Sequence, residues 1–568
     1  MRQRIWEILE PNTALQAKLI AACGITPVTA QLLINRNITS PLEVDRFLKA
    51  DLKFLYDPFL LKDMDKAVHR IKKAISKGEK IMIYGDYDVD GISAVALLKR
   101  VLQNIGGNVA TYIPNRIEEG YGLNKDAVKT AHRENISLLI TVDCGINGKE
   151  EVEYLHKVGV SAIVTDHHKI SEQSFPSKAY AVINPLQKDC KYPFKHLSGV
   201  AIAYKLAEAL TSDSGYDAKQ HLDLVALGTI QDMAPQLGEN RILTRYGLIK
   251  INDSNKEGIR ALIEVAGLKG RTISTKEVGY MLGPRINAAG RVSSAEIALS
   301  LLTTDNETEA IELAEILDRE NRNRQKIEND ILREVVDRVE NEINFKDDKI
   351  IVLDSDDWHP GVIGIVASRI AERFNRPTIM ISFDDKNEGK GSGRSIKNFH
   401  LFEALAECRD FLANFGGHAA ACGLRIMRKD LNAFKSKLNM VASELLVAED
   451  LVPAITIDME IPLRLLQHKL VSEFENLAPY GPGNPRPILS SKSLKLRSRP
   501  INIRREGIKM WVTDDNITCE AIGFGMNDLI ADILESTTVD VAYTPSINRW
   551  RGVDTLQLEL VDVKTNLI

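Results

Sequence analysis

From Lys80 onward, short apolar runs alternate with longer stretches whose apolar residues recur at helical spacing. "IMIYGD", "NVATYI", "SLLITVD", "SAIVTD" and "AYAVI" read as strands, and the segments between them, starting with "GISAVALLKRVLQNIG", read as helices. The alternation predicts an α/β fold with a doubly wound parallel sheet. After Thr304, "DNETEAIELAEILDRENRNRQKIENDILREVVDRVENEI" contains neither proline nor glycine and predicts one long connecting helix. A second, smaller α/β pattern opens at "DKIIVLDS" (348–355) and closes near Ala448. "APYGPGNPRP" (478–487) can continue neither a helix nor a central strand, and the short strand-like runs behind it predict a small β-barrel. Residues 1–55 read as short helices, an arm packed on the first α/β domain. The expected division is 1–55 for the arm, 56–303 for the first α/β domain, 304–345 for the connecting helix, 346–450 for the second and 451–568 for the barrel.

Several of these runs stop on an aspartate. In a parallel sheet all strands point one way, so acids placed at strand ends converge on one edge, the edge where ligands of such folds bind. "IMIYGDYDVDG" supplies Asp86, Asp88 and Asp90, "LLITVD" supplies Asp143, and "AIVTDHH" supplies Asp166, His167 and His168. Asp90, just before "GISAVALL", reads as the cap of the helix it precedes. Crowded acids repel one another unless cations neutralise them, and an oxygen-rich site with one or two imidazoles suits manganese or magnesium. Five or six such ligands suffice for two ions about 3.5 to 4 Å apart, the arrangement that serves phosphoryl transfer.

Length and charge sharpen this picture. At 568 residues the chain exceeds what one core can organise. A net charge of -5 gives no global attraction to polyanions, so any nucleic acid must be held by local basic surface. The barrel offers one: "SKSLKLRSRPINIRREGIKMW" places Lys492, Lys495, Arg497, Arg499, Arg504, Arg505 and Lys509 beside Trp511, and "NRWRG" adds Arg549, Trp550 and Arg551. Cations for phosphates and flat rings for unstacked bases are what a single-strand groove needs. Six cysteines without CxxC spacing argue against a zinc knuckle or disulfide framework and for a reducing, cytoplasmic setting. No run reaches the roughly 18 to 20 apolar residues of a membrane span.

The combination of "DYDVDG", "VDCG" and "DHH" resembles the DHH phosphoesterase family. "GYGL" (120–123), "GTIQDMAP" (228–235) and "GPRINAAGR" (283–291) narrow the resemblance to that family's single-strand-specific 5′ to 3′ exonucleases, while "GSGRS" (391–395) and "GGHAAACG" (416–423) look like the DHH-associated domain. The resemblance runs from about Asp51 to the end and implies that the barrel is an OB-fold. It implies Asp86, Asp88, Asp143, His167 and Asp232 as metal ligands, with Asp166, His167 and His168 as the catalytic group near the scissile phosphate. Arg116, Ser392 and Arg394 would hold a 5′-terminal phosphate, Arg285 and Arg291 would face the nucleic acid backbone, and His418 would take a phosphate role. Many DHH enzymes carry a histidine where this chain has Tyr84, so one ligand is expected to be lost there. The implied activity is two-metal hydrolysis of single-stranded DNA to 5′-mononucleotides in repair and recombination. The implied partners are a single-strand-binding protein and a helicase, with a monomeric enzyme. A hydrolase of oligoribonucleotides or cyclic dinucleotides and a catalytically dead replication scaffold are the competing readings. The barrel speaks against the first and the intact acids against the second.

Overall fold

The computed structural model describes residues 4–116, 119–292, 294–503, 507–550 and 553–566. Arg504, Arg505 and Arg551, and the side chains of Arg549 and Trp550, lie outside the described residues. The chain forms two compact units, one of residues 56–234 and 243–451, the other of 1–55, 235–242 and 452–568.

The first unit holds both α/β layers. Five strands, β1 (Lys80–Gly85), β2 (Asn108–Tyr112), β3 (Leu138–Val142), β4 (Ser161–Thr165) and β5 (Ala181–Ile183), pair in parallel in the order β2-β1-β3-β4-β5. This is a doubly wound order, and it reverses direction between β1 and β3, the place where such sheets open a ligand crevice. β1, β3 and β4 are buried along almost their whole length and mostly apolar, because helices cover both faces. The covering helices include α1 (Val89–Asn104), α2 (Lys125–Arg133), α3 (Lys149–Lys157) and α4 (Gly199–Thr211), and α5 (Leu222–Gln231) packs on α1 and α4. α1 starts where Asp88 accepts the Asp90 and Gly91 amides, α2 where Asn124 accepts that of Ala127, and α4 where Ser198 accepts that of Ala201.

Beyond a π-helical turn, Val278–Leu282, runs α6 (Gly283–Val292), and then the expected long helix, α7 (Glu307–Glu342). Its 36 residues span roughly 54 Å. In the middle part of α7, Asp318 ties it to α6 by binding Arg285, and about three turns on Glu328 ties it to α8 (Ile363–Phe374) by binding Arg369 at 2.7 Å. The second layer is a mixed sheet in the order Leu412–Gly417, Ala421–Met427, Glu388–Arg394, Thr378–Phe383, Ile351–Ser355. Only the last two strands of that order pair in parallel.

The other unit contains the barrel. Leu489–Leu496 pairs with both Thr538–Trp550 and Gly507–Thr513, which closes the seven-stranded sheet. The N-terminal segment differs from the expectation of an arm packed on the first α/β domain. Leu19, Leu32, Leu33, Val44 and Phe47 share one core with Leu463, Phe474, Met510, Val539 and Leu558, and Ile5–Ile8 pairs in parallel with Ala454–Ile457. Amphipathic periodicity shows that a helix has an apolar face, not which distant segment covers it. Arg241 fixes this assembly. Its guanidinium is buried, lies 3.8 Å over the Phe47 ring, and donates to the carbonyls of Phe47, Asn476 and Leu477 at 2.9, 2.9 and 2.7 Å.

Arg241→Ala leaves those carbonyls buried without donors, so it should cost about 3 kcal/mol or more. The denaturant midpoint of this unit, followed by Trp511 fluorescence, checks it; an unchanged midpoint would show that water replaces the guanidinium.

Candidate active site

Register places the acids. Gly85 pairs with Val142 and Val142 with Thr165, so the next residue of each strand, Asp86, Asp143 and Asp166, emerges at one level of the sheet edge. Asp86 and Asp143 come directly after the two strands that flank the reversal in strand order. Asp143 has φ of 60°, a left-handed conformation costly for a residue with a Cβ and typical of functional turns. Asp232 arrives from another direction, at the C-terminal cap of α5, where the helix dipole disfavours a carboxylate. Ligand atoms of Asp86, Asp88 and Asp143, of Asp143, His167 and His168, and of Asp90, His167 and Asp232 each lie within 4.8 Å of one another. His167 links these groups: Nε2 is 3.1 Å from Asp143 and Nδ1 is 3.8 Å from Asp232.

Burial and mutual repulsion load this pocket. Asp86 is pushed well above its ordinary value by burial and the charge of Asp88, and Asp143 by burial and the charges of Asp90 and Asp88. Asp232 rises to about 9 for the same reasons, burial first. Burial and the neighbouring positive His168 press His167 down to about 4, so it is neutral at pH 7 and free to ligate. Asp86 Oδ1, Asp143 Oδ1 and His167 Nε2 are buried with no hydrogen-bond partner among the described residues. Buried polar atoms without partners are rare, and here they face one another in an oxygen-rich set with one imidazole, which fits a hard divalent cation.

Asp166 has a different task. Its Oδ2 accepts the Ile146 amide at 2.9 Å, and its Oδ1 accepts the His168 amide at 3.0 Å and bonds His168 Nδ1 at 2.7 Å. Burial alone would raise Asp166, but the bond and charge of His168 hold it below the ordinary carboxylate range. Burial likewise opposes charge on His168, and the bond to Asp166 overcomes it, lifting His168 to about 9. An imidazolium therefore stands beside the acids.

Asp90 corrects a sequence expectation. Asp88, not Asp90, caps α1; Asp90 is fully buried and its two oxygens accept the Gly199 and Val200 amides at 2.7 and 2.9 Å, the N-terminus of α4. Gly199 is required there, because a Cβ would sit 2.4 Å from Asp143 Oδ1. Tyr84 faces no ligand position. Its hydroxyl donates to Gly122 O at 2.8 Å and accepts from Asn124 at 3.1 Å, and its ring stacks on Tyr112.

Cations line the approach. Arg116 lies 4.8 Å over the Tyr87 ring. Burial and the charges of Arg116, Arg324 and Arg394 all press Arg291 downward, and burial with Arg116 does the same to Arg394, so these guanidiniums lie within electrostatic reach of one another. Arg394 donates to Ser392 Oγ at 3.1 Å, and Arg291 to Gly361 O at 3.0 Å. His418 is exposed, lowered by what burial it has and then by the charges of Lys169 and His168, which places the "GGH" turn opposite the DHH segment. Arg285 does not join them. It is bound by Asp318 at 2.9 Å and Met281 O at 2.6 Å and braces α7.

Family models match in three places: the DHH family N-terminal domain over residues 80–229, the DHHA1 domain over 347–444 and the RecJ OB domain over 457–562. The single-stranded-DNA-specific exonuclease RecJ of Bacillus subtilis is 36% identical over 98% of this chain and 70% of its own length. The Escherichia coli RecJ is 32% identical over 94% of this chain and 95% of its own. The crystal structure of Thermus thermophilus RecJ in complex with Mn2+ superposes with a TM-score of 0.85 at 31% identity, covering 100% of this chain and 81% of that one. The chain belongs to the RecJ exonuclease family.

Within this RecJ fold, sequence reasoning missed two residues at the site. Tyr121 places its hydroxyl 3.0 Å from His168 Nδ1, and Gly199 lets α4 approach Asp143. Tyr121 sits inside "GYGL", but loop contacts carry no periodicity to reveal them. No helix among the described residues is long and apolar enough to cross a membrane.

If the acids hold cations, Mn2+ should raise the melting temperature of the wild type and not of Asp143→Asn. Saturation at a hundredfold over Kd corresponds to about 2.7 kcal/mol. Because the carboxylates sit high without metal, Asp232 at about 9, uptake at pH 7 should release protons and affinity should weaken as pH falls. Proton release in weakly buffered titrations measures this; none would refute it.

Proposed function

We propose that this chain is a single-strand-specific 5′ to 3′ exodeoxyribonuclease that releases 5′-mononucleotides, with two Mn2+ or Mg2+ ions held by Asp86, Asp88, Asp143, His167 and Asp232. The observation that carries the reading is the juxtaposition of an unneutralised acid pocket with a bank of guanidiniums contributed by both α/β layers. The names of the relatives and the Mn2+ in the Thermus structure support it. Divalent ions bound there supply Lewis acidity and activate water for in-line attack.

The side chains do the rest. Arg116, Ser392 and Arg394 hold the end phosphate, the guanidinium forks matching its oxygens, while Arg291 steadies the strand and His418 approaches it from the facing turn. His168, kept protonated by Asp166, presents Nε2–H to a phosphate oxygen or to the departing 3′ oxygen. Cleavage of the P–O3′ bond leaves a new 5′ phosphate on the shortened strand, so each turnover regenerates the group the arginines recognise. α7 fixes the separation between end-phosphate site and acid pocket and so sets the length of the first product.

In the barrel, Lys492, Lys495 and Lys509 are paired with Glu460, Asp515 and Glu520, which neutralises much of the expected basic strip. Arg497 and Arg499 are exposed and absent from the ion pairs among the described residues, and Trp511 is 39% exposed. We assign strand contact to these three. Free cysteines throughout agree with a reducing cytoplasm. A helicase to produce the strand and a single-strand-binding protein to keep it open complete the proposed setting for a monomeric enzyme.

End-labelled strands in Mn2+ test the reading. Wild type should release mononucleotides from single strands and spare blunt duplex. Asp143→Ala should lose more than about a hundredfold in rate, beyond the usual effect of an outer-sphere metal partner. Arg394→Ala should lose about ten- to hundredfold on 5′-phosphorylated ends and little on 5′-hydroxyl ends. Unchanged turnover in the first, or retained end preference in the second, refutes the corresponding assignment.

The barrel needs surface changes, because truncation would expose the core it shares with Leu19, Leu33 and Phe47. Trp511→Ala with Arg497→Glu and Arg499→Glu should weaken long strands by about tenfold or more, since stacking alone contributes about 1–3 kcal/mol per base. Trinucleotides should be unaffected. Equal effects on both lengths would mark the surface as structural.

A further inference from the structure

Between β2 and α2 the described residues, 113–116 and 119–124, include both Arg116 and Tyr121, and one carboxylate gathers donors from this stretch and from both its flanks. Glu119 Oε1 accepts the Asn115 amide at 2.7 Å, and Oε2 accepts the Tyr112 hydroxyl at 2.8 Å and Asn124 Nδ2 at 2.7 Å. Donors from the end of β2, from the loop and from the cap of α2 thus meet on a single side chain. A second layer braces the first, since Asn124 also donates to the Tyr84 hydroxyl, which donates to Gly122 O. Tyr84 stacks on Tyr112 with ring centroids 5.4 Å apart. On one side of this frame Arg116 lies over Tyr87, next to Asp86; on the other the Tyr121 hydroxyl reaches His168.

We infer that Glu119 is a positioning residue that sets Arg116 and Tyr121 together, so that recognition of the 5′ end and the geometry at His168 are coupled through one loop. The inference rests on the exonuclease reading proposed for the acid pocket. Three donors aimed at one carboxylate are a strict requirement, because an amide in its place turns an NH2 group toward at least one of them. Tyr84, at the position where a metal-facing histidine stands in many DHH enzymes, serves this frame and not a cation.

The test is Glu119→Gln, isosteric but missing one acceptor, with kcat and KM measured on 5′-phosphorylated and 5′-hydroxyl strands. The ratio of kcat/KM between the two ends should fall roughly tenfold, as expected for small displacements of a positioned group, and kcat should fall on both. The melting temperature and the KM of long strands should hold. Tyr112→Phe, which removes one donor and keeps the stacking ring, should give a smaller loss in the same direction, and the double variant should be no worse than Glu119→Gln alone. An end preference equal to wild type in either folded variant overturns the inference. A wild type that degrades single strands with no end preference instead overturns the end-phosphate reading on which it stands.

Discussion

Electrostatic repulsion among buried carboxylates is the constraint around which the first unit is arranged. Asp86, Asp90 and Asp143 are almost fully buried at the reversal point of a parallel sheet, and neither burial nor proximity favours their charge. Each is offset differently. Asp90 is met by the first amides of α4, a helix end that attracts anions, whereas Asp86 and Asp143 keep an oxygen with no protein donor among the described residues. Asp166 escapes the problem because His168 neutralises it. The result is a graded pocket in which some acids are satisfied by the fold and the others require a ligand.

This grading explains which parts of the site were legible in the sequence. Strand-end acids announce themselves because a parallel sheet converts chain position into spatial level, so Asp86, Asp143 and Asp166 could be placed at one edge from apolar runs alone. Asp90 could not be placed this way. Its type and position suggest a cap, which it is, but the helix it caps lies more than a hundred residues away, and no local pattern encodes that partner. Arg285 shows the same limit from the other side: the motif marks a guanidinium, and only the packing of α6 on α7 shows that Asp318 already holds it. The N-terminal helices were visible as helices, yet their core with the barrel depends on contacts four hundred residues apart in sequence. The long helix was the most legible element of all, because an uninterrupted amphipathic run needs no knowledge of its neighbours.

Local rules are broken at several points around the proposed chemistry. Asp143 and Met233 adopt positive φ, Asp232 occupies the wrong end of a helix dipole, and the turn before α6 is π-helical. At the π turn the compensating contact is plain. The Gln231 side-chain amide donates to the carbonyls of Val278 and Gly279 at 2.9 and 3.1 Å, taking up acceptors in the turn. Gly283 is what lets that amide in, since a Cβ there would fall 2.0 Å from it. Gln231 is also the residue before Asp232, so the device that stabilises an irregular helix ties "GPRINAAGR" to a carboxylate of the pocket. Such coupling of strain to a site arises when geometry at the site is selected over local stability.

The two α/β layers then act as one machine because their connector is a continuous helix anchored to both of them. Arg285 and Arg322 both bind Asp318, and Arg324 and Arg369 both bind Glu328, so each anchor is an acid shared by two arginines. A shared acid restrains two side chains at the entropic cost of fixing one more, which makes the second bond less costly than the first. Asp318 and Glu328 lie on one helix, and the stretch between them spans the gap from α6 to α8 with no flexible joint. A change of length or register in α7 would therefore move the Arg394 pocket relative to Asp143 as a rigid step and not as a gradual drift, because a helix can absorb an inserted residue only by rotating every anchor beyond it.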